Sequence, residues 1–262
     1  MKKIPQDILG NIAILKFPRR TLWFVKKFRA LQFLREHKKV TTVVEKIGSF
    51  SGRLRVLKTK YLVGVKTTIV NYRENGCEFE FDINGSYFSP RLSNERKVIA
   101  DEVVRLVGKK KRVRILVMFA GVAPYSITIA KKLKKSEGSA IIFSNELNRE
   151  ANFFAAKNIK LNKLENDISI IPGDAKKIYK KVDCKFDIIL MPRPNLKDTF
   201  LESALALSKR GSVIFYHGFG TRESVLGEID RDVGGRIGRV SIRKAGDIGV
   251  NKYRWQAVFR VK

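Results

Sequence analysis

The chain has 262 residues, 44% of them hydrophobic and 30% charged, with seven prolines and nineteen glycines, which is enough apolar material for a packed core and too little turn material for a disordered chain. No apolar run reaches the ~18 residues that span a bilayer, the N-terminus lacks the apolar stretch of a signal peptide, and Cys77 and Cys184 stand apart without disulfide or metal-ligand spacing. A soluble cytoplasmic protein without a metal site is expected, and its formal net charge of +29 points either to a polyanion partner or to Lys enrichment of a whole proteome.

Residues 1–72 hold 17 Lys and Arg against three Asp and Glu, whereas the remaining 190 hold 37 against 22. This concentration favours a nucleic-acid partner. The runs 8–15 and 40–47 read as strands, and between them Leu22, Val25, Phe28 and Phe33 recur near the helical period. From 51 to 83 apolar and polar residues alternate around glycines 64 and 76, the pattern of antiparallel strands. We divide the chain into a small basic α+β domain, 1–70, and a larger domain, 71–262. No internal repeat or low-complexity linker is visible.

A helix over 92–107 leads into apolar strands at 112–120, 139–146, 167–174, 186–192 and 211–218, separated by helices at 125–135, 148–161 and 197–208. This succession predicts an α/β, Rossmann-like, doubly wound sheet, with 253–261 as an alternating edge strand. In such a sheet ligands sit at the carboxyl ends of the strands, near the reversal of strand order.

The first of these strands ends at Phe119-Ala120-Gly121-Val122-Ala123-Pro124. Gly121 allows close backbone approach to a ligand or simply punctuates the strand-to-helix turn; there is no GxGxxG and no Lys-Ser/Thr for a phosphate. The second ends in Glu146, suited to two ribose hydroxyls or to capping a helix. The third ends in Gly173-Asp174, whose carboxylate suits an adenine amino group or, again, a cap. Together with the neighbouring Leu147 and Ala175, these ends suit a nucleoside-bearing cofactor without a diphosphate, and S-adenosylmethionine fits better than a dinucleotide.

Four stretches, Tyr72-Arg73-Glu74-Asn75-Gly76, Tyr87-Phe88-Ser89-Pro90-Arg91-Leu92-Ser93-Asn94-Glu95-Arg96, Met118-Phe119-Ala120-Gly121-Val122 and Asn158-Ile159-Lys160-Leu161-Asn162, resemble the archaeal and eukaryotic tRNA guanine-37 N1-methyltransferases. That family includes wyosine-pathway enzymes that methylate tricyclic guanine derivatives. The resemblance runs from about Asp7 to the C-terminus. It implies a class I methyltransferase domain holding S-adenosylmethionine, preceded by a small domain that helps hold the tRNA anticodon stem-loop, in a monomer. On the matching positions Arg96, Phe119, Gly121, Glu146 and Asp174 would contact the cofactor. Glu95 would be the general base, and Arg55 the cation supporting charge on the base oxygen.

The chain departs from the family pattern at three places. Gly121-Val122-Ala123 replaces Gly-x-Gly, with Val117 where an acidic residue precedes it; Pro192-Arg193-Pro194 replaces Asn-Leu-Pro in the substrate-base pocket; and the domain that reads the tRNA elbow in many archaeal members is not expected here. Proline cannot offer the side-chain amide of the asparagine, which favours methylation of carbon 7 of 4-demethylwyosine over N1 of guanine, with both activities as an alternative. From a different class, a tRNA-binding protein without turnover is the other expectation. Tyr179, Tyr216, His217 and Phe219 are candidates for stacking on an extruded base, and His37, beside Lys38 and Lys39, for a helix end or a phosphate.

Overall fold

The computed structural model describes residues 6–51, 56–110, 112–136, 138–249 and 252–262. It divides into two compact units, Met1–Pro90 and Arg91–Lys262.

In the first unit the run expected as a single strand is a hairpin, β1 (Gln6–Leu9) and β2 (Ile12–Leu15), which turns at Gly10 and Asn11. Helix α1 (Trp23–Glu36) crosses over to β3 (Thr42–Ser51), parallel to β2, and β4 (Val56–Gly64) returns antiparallel. A separate hairpin follows, β5 (Ile69–Glu74) and β6 (Cys77–Asp82). It belongs to this unit because Asn11 accepts from the Asn71 N–H at 2.8 Å and donates to the Ile69 carbonyl at 3.3 Å. Gly10 is obligatory there: its φ is +51°, and a Cβ would lie 1.8 Å from the Asn71 carbonyl oxygen. The contacts therefore divide the chain at Pro90, where the sequence reading drew the line at 70. Ala30 and Phe33 of α1 pack on Ala13, Leu15, Val43, Leu62 and Val63. Of the four apolar residues read as helix-periodic, Phe33 alone is buried, while Leu22 and Phe28 face solvent.

The second unit begins with α2 (Ser93–Val107), followed by β7 (Val113–Val117), α3 (Pro124–Lys135), β8 (Ala140–Glu146), α4 (Arg149–Leu161), β9 (Ile168–Pro172) and β10 (Phe186–Met191). It ends with α5 (Leu201–Ala206), β11 (Ser208–Gly220), α6 (Arg222–Val233), β12 (Ser241–Gly249) and β13 (Lys252–Arg260). The sheet order is β12-β13-β11-β10-β7-β8-β9, with β7 to β11 parallel and β13 antiparallel to both neighbours. Alternate residues of the central strands face opposite sides. Leu116, Ile189, Met191, Ile214 and Tyr216 join Leu201, Ala204, Val225, Ile229 and Val233 in one core, and Ile115, Val117, Leu190 and Phe215 are buried on the other side, as expected of a sheet covered on both faces.

The structure corrects three sequence expectations. Residues 253–261 form an inner strand, because β12 pairs outside it as the true edge. The helix expected over 197–208 is only Leu201–Ala206, since Phe200 at φ +58° turns the chain just before it. Helix α6 was not expected, although Val225, Ile229 and Val233, each four residues apart, form its buried stripe. No helix among the described residues is long and apolar enough to cross a membrane.

Candidate active site

Strand order reverses between β7 and β10, so the loops leaving β7, β8, β9 and β10 converge where an open α/β sheet places its ligand. The loop after β7 is held in an uncommon conformation. Phe119, Gly121 and Ala123 have φ of +57°, +58° and +66°, a backbone region that costs a side-chain-bearing residue about 1–2 kcal/mol. What holds it is a set of hydrogen bonds, most of them to β8 and α4. The Ala120 N–H donates to the Asn145 carbonyl at 2.8 Å, the Ala123 N–H to the Ala120 carbonyl at 3.0 Å, and the Gly121 N–H to Glu146 Oε2 at 2.8 Å. Asn158, fully buried on α4, donates its amide to the Val122 carbonyl at 3.2 Å.

Glu146 ends β8, and its other oxygen accepts the Asn148 N–H at 2.8 Å. One carboxylate thus ties the β7 loop to the β8–α4 turn and keeps further lone pairs for a ligand. Asparagines brace this turn. Asn145 donates to the carbonyls of Ile171 and Gly173 at 2.8 and 2.9 Å, Asn152 donates to those of Glu146 and Asn148, and Asn148 caps α4. Sequence reading missed this role, though the density of asparagine at 145, 148, 152, 158 and 162 was its signal. Leu147 stands exposed beside Glu146. Asp174 accepts the Lys176 N–H at 3.0 Å, so it does cap the turn after β9. The Ala175 side chain lies in the core with Ile171 and Ile178, which leaves only its backbone for a ligand.

This donor set can be tested against a nucleotide. The amides of Ala120, Gly121 and Ala123 are engaged by the Asn145 carbonyl, the Glu146 carboxylate and the Ala120 carbonyl, and α3 opens with Pro124, which has no N–H. The loop therefore cannot form the amide nest that a diphosphate needs. Two carboxylates with an exposed leucine between them suit the hydroxyls and amino group of a nucleoside.

A buried polar cluster lies at the start of α2. Glu95 is 5% exposed, and Arg243 of β12 grips it with two bonds, Nη1 to Oε2 at 2.8 Å and Nη2 to Oε1 at 2.9 Å. His217 Nε2 stands 3.4 Å from Oε1 without hydrogen-bond alignment. Burial pushes the Glu95 carboxyl upward, but His217 and Arg243 outweigh it and hold the group below the usual carboxylate range. Its place in the first turn of a helix acts in the same direction. Burial, chiefly, lowers His217 below the ordinary histidine value, against the pull of Glu95. Register places His217, Gln256 and Arg243 directly opposite one another on β11, β13 and β12. Within this cluster Tyr125 Oη, His217 Nε2, Gln256 Nε2 and Arg243 Nε are buried without hydrogen-bond partners, a density of unmet groups that marks functional sites. Burial raises the Tyr125 phenol. Arg96, 2% exposed, places its guanidinium 5.9 Å from the Tyr125 ring.

Pro192, Arg193 and Pro194 follow β10. Arg193, expected in the substrate pocket, is turned inward: it donates to Tyr216 Oη at 2.6 Å, to Glu228 at 2.7 Å and to the Leu196 carbonyl at 3.0 Å. It fixes the shape of the 192–200 loop and leaves the two prolines to line it. That loop reaches the loop after β7 through Phe200, edge-on to Phe119 at 4.9 Å. Of the stacking candidates, Tyr216 is fully buried under Arg193, and Phe219 has the Arg193 and Arg254 guanidiniums 5.5 and 5.4 Å from its ring. Tyr179 is exposed and His217 belongs to the Glu95 cluster. His37 stacks on Phe33 at the end of α1. Arg55 lies outside the described residues.

Comparison with known proteins places this geometry. The TRM5/TYW2 methyltransferase domain model matches residues 68–233. The chain is 35% identical over 215 residues to the tRNA (guanine(37)-N(1))-methyltransferase Trm5b of Pyrococcus abyssi, covering 82% of this chain and 59% of that one. It is 29% identical to the tRNA (guanine(37)-N(1))/4-demethylwyosine(37)-methyltransferase Taw22 of Nanoarchaeum equitans, covering 95% and 96%. Among solved structures, one described as the complex of aTrm5 and tRNALeu superposes with a TM-score of 0.82 at 26% identity, covering 98% of this chain and 72% of that one. The chain spans about half the length of the Trm5b relatives from Pyrococcus abyssi and Methanocaldococcus jannaschii.

Proposed function

Since the chain belongs to the TRM5/TYW2 methyltransferase family, we propose that it methylates the guanine-derived base at position 37 of tRNA, with S-adenosylmethionine as methyl donor. The observation that carries this reading is Glu146, whose carboxylate joins the Gly121 and Asn148 amides at the reversal of strand order. Glu146 and Asp174 would hold the nucleoside hydroxyls and amino group, Phe119, Leu147 and the backbone of Gly121 and Ala175 would line the ring faces, and Arg96 would lie close by. When bound, the cofactor supplies an electrophilic methyl group on its sulfonium. Glu95 takes the ring proton that the methyl replaces, a role that requires an ionised carboxylate, and Arg243 keeps it ionised and oriented. Arg55 is proposed as the cation that supports charge on the base oxygen. The basic first unit would bind the anticodon stem-loop, in keeping with the tRNA in the structure of its relative.

Between target atoms the reading leans to carbon 7 of 4-demethylwyosine. With Arg193 turned inward, the turn directly after β10 presents Pro192 and Pro194, so position 192 has no side-chain amide for a guanine edge, and the nearest amide of this loop is the exposed Asn195, three residues on. N1 of guanine, or both activities as in the name of the Nanoarchaeum equitans relative, is the second reading. Nucleoside mass spectrometry distinguishes them, after incubation of enzyme and S-adenosylmethionine with unmodified tRNA and with tRNA carrying the tricyclic precursor. Product from the tricyclic substrate alone is expected. Pro192→Asn should raise N1-methylguanosine relative to the tricyclic product, and an unmoved ratio removes the argument from Pro192. No methyl transfer to either tRNA, with no binding of S-adenosylhomocysteine by calorimetry, would leave a tRNA-binding protein without turnover.

A further inference from the structure

Helix α1 buries two apolar side chains and leaves most of its large ones exposed. Ala30 and Phe33 face the sheet of the first unit, whereas Trp23, Phe24, Phe28 and Leu31 are 57%, 64%, 68% and 38% exposed. At ~100° per residue, positions 23, 27, 31, 24 and 28 fall within one arc of about 140°, so the three aromatic rings, Leu31 and Lys27 share a single outward face. An apolar patch of this kind is the mark of an interaction surface.

The charge around the face narrows the partner. Residues 16–39 contain nine Lys and Arg and one acidic residue, Glu36. Arg19 and Arg20 precede the rings, Arg35, Lys38 and Lys39 follow them, all exposed, and Lys27 extends over the Trp23 ring with its ammonium 5.0 Å from the centroid. A protein partner would have to supply a matching acidic surface. A lipid surface would have to bury Lys27, which sits in the middle of the apolar arc. Unpaired nucleotides offer flat apolar faces and anionic links at alternate positions, and that is the pattern of this helix.

We propose that the outward face of α1 is a stacking platform for unpaired nucleotides of the RNA substrate, with Trp23, Phe24 and Phe28 taking base faces and Lys27 and Arg35 the phosphates between them. This rests on the tRNA reading above and assigns to α1 the part of the RNA that is single-stranded.

The test uses the whole chain and the double variant Trp23→Ala/Phe28→Ala, whose sites are exposed; unchanged circular dichroism and melting verify its fold. Two RNAs of equal length are compared, a stem-loop with an unpaired loop and a blunt duplex. Stem-loop affinity should fall at least about tenfold, while duplex affinity stays within about twofold and the salt dependence of both is unchanged, because no phosphate contact is removed. In a Trp255→Phe background, Trp23 fluorescence should be quenched by the stem-loop and not by the duplex. Equal losses on both RNAs, no quenching, a blue shift of Trp23 on anionic phospholipid vesicles in its place, or a dimer in sedimentation that the double variant abolishes would each overturn the platform. Methyl transfer separates this proposal from the activity: if the double variant methylates tRNA with wild-type kcat/KM, the platform fails and the enzyme reading stands. If the wild-type chain distinguishes stem-loop from duplex as described and methylates neither tRNA, the platform stands and the enzyme reading fails.

Discussion

In the first unit α1 holds Trp23, Phe24 and Phe28 out in solvent, while the second unit holds Glu95, His217 and Gln256 away from it. Each arrangement is costly alone. An aromatic side chain left in water forgoes about 1.5–3 kcal/mol of burial, and a buried polar group without a partner costs about 1–3 kcal/mol. Apart from scattered exposed side chains such as Phe153 and Tyr179, both units follow the ordinary partition, with apolar cores around Phe33 and around Ile189. The departures are local and opposite in sense, and they suit opposite tasks: one surface waits for a partner with apolar faces, and one chamber keeps a charge where water would dilute its effect.

The largest expected effect would break the two apart. Glu95→Gln keeps the shape of the side chain and removes the charge that accepts a proton, so methyl transfer at saturating substrates should fall at least about a hundredfold, while binding of tRNA and S-adenosylhomocysteine stays within about threefold. The α1 double variant should do the reverse, losing RNA affinity and keeping the rate at saturation. If Glu95→Gln weakens RNA binding as much as it slows turnover, the chamber serves recognition and the contrast is lost.

Glu146→Ala comes next. It removes the acceptor we propose for the cofactor and also unties Gly121 from Asn148, so calorimetry with S-adenosylhomocysteine should show a loss of about 1–3 kcal/mol. RNA affinity should not move. A cofactor affinity within twofold of wild type would take Glu146 out of the site.

A smaller effect sharpens what the chamber does. Only ionised Glu95 accepts a proton, so the rate falls as pH drops through its pKa, and Arg243, with His217, holds that pKa low. Arg243→Gln should raise it and move the acid limb of the pH–rate profile upward, so that the loss of rate is greatest at acid pH and fades in alkali; Arg243→Lys should return part of the way. By the same linkage, the pair stabilises the fold above the ordinary carboxylate range, and that stability is lost as pH falls through the lowered value. A uniform loss of rate at every pH would mean that Arg243 only supports the fold.

How much of this was legible depended on distance along the chain. Gly121, Glu146 and Asp174 could be placed from sequence because strand ends follow directly from apolar runs and turn residues. Arg243 could not, for it meets Glu95 across 148 residues, from a strand whose pairing slips at Lys244–Gly246 and Asp247–Gly249 and whose pattern carries no clear period. Arg193 was noticed for its place after β10, but its partners Tyr216 and Glu228 lie 23 and 35 residues further on, so its inward turn was invisible. In α1 the helix was legible, but its buried face was not. Period alone does not say which face packs: spacing grouped Phe28 with Phe33, and the fold buries Phe33 and leaves Phe28 in water.

The smallest effect concerns the loop that most resembles a departure from the family. Ala123 stands at φ +66° where the family has glycine, fully buried, and three terms meet in Ala123→Gly. Leaving the left-handed region unstrained should return about 1–2 kcal/mol. Against it, the extra freedom of glycine in the unfolded chain costs about 0.5–1 kcal/mol, and the lost burial of one methyl costs about 0.8 kcal/mol. The sum is close to zero, and at about 2–4 °C per kcal/mol for a domain of this size the melting temperature should move by less than about 2 °C. Cofactor affinity should follow suit, because the Ala123 N–H bond to the Ala120 carbonyl is a backbone bond that either residue makes. A rise of more than about 4 °C would show that strain outweighs packing, and that this chain keeps its cofactor loop under tension that a second glycine would release.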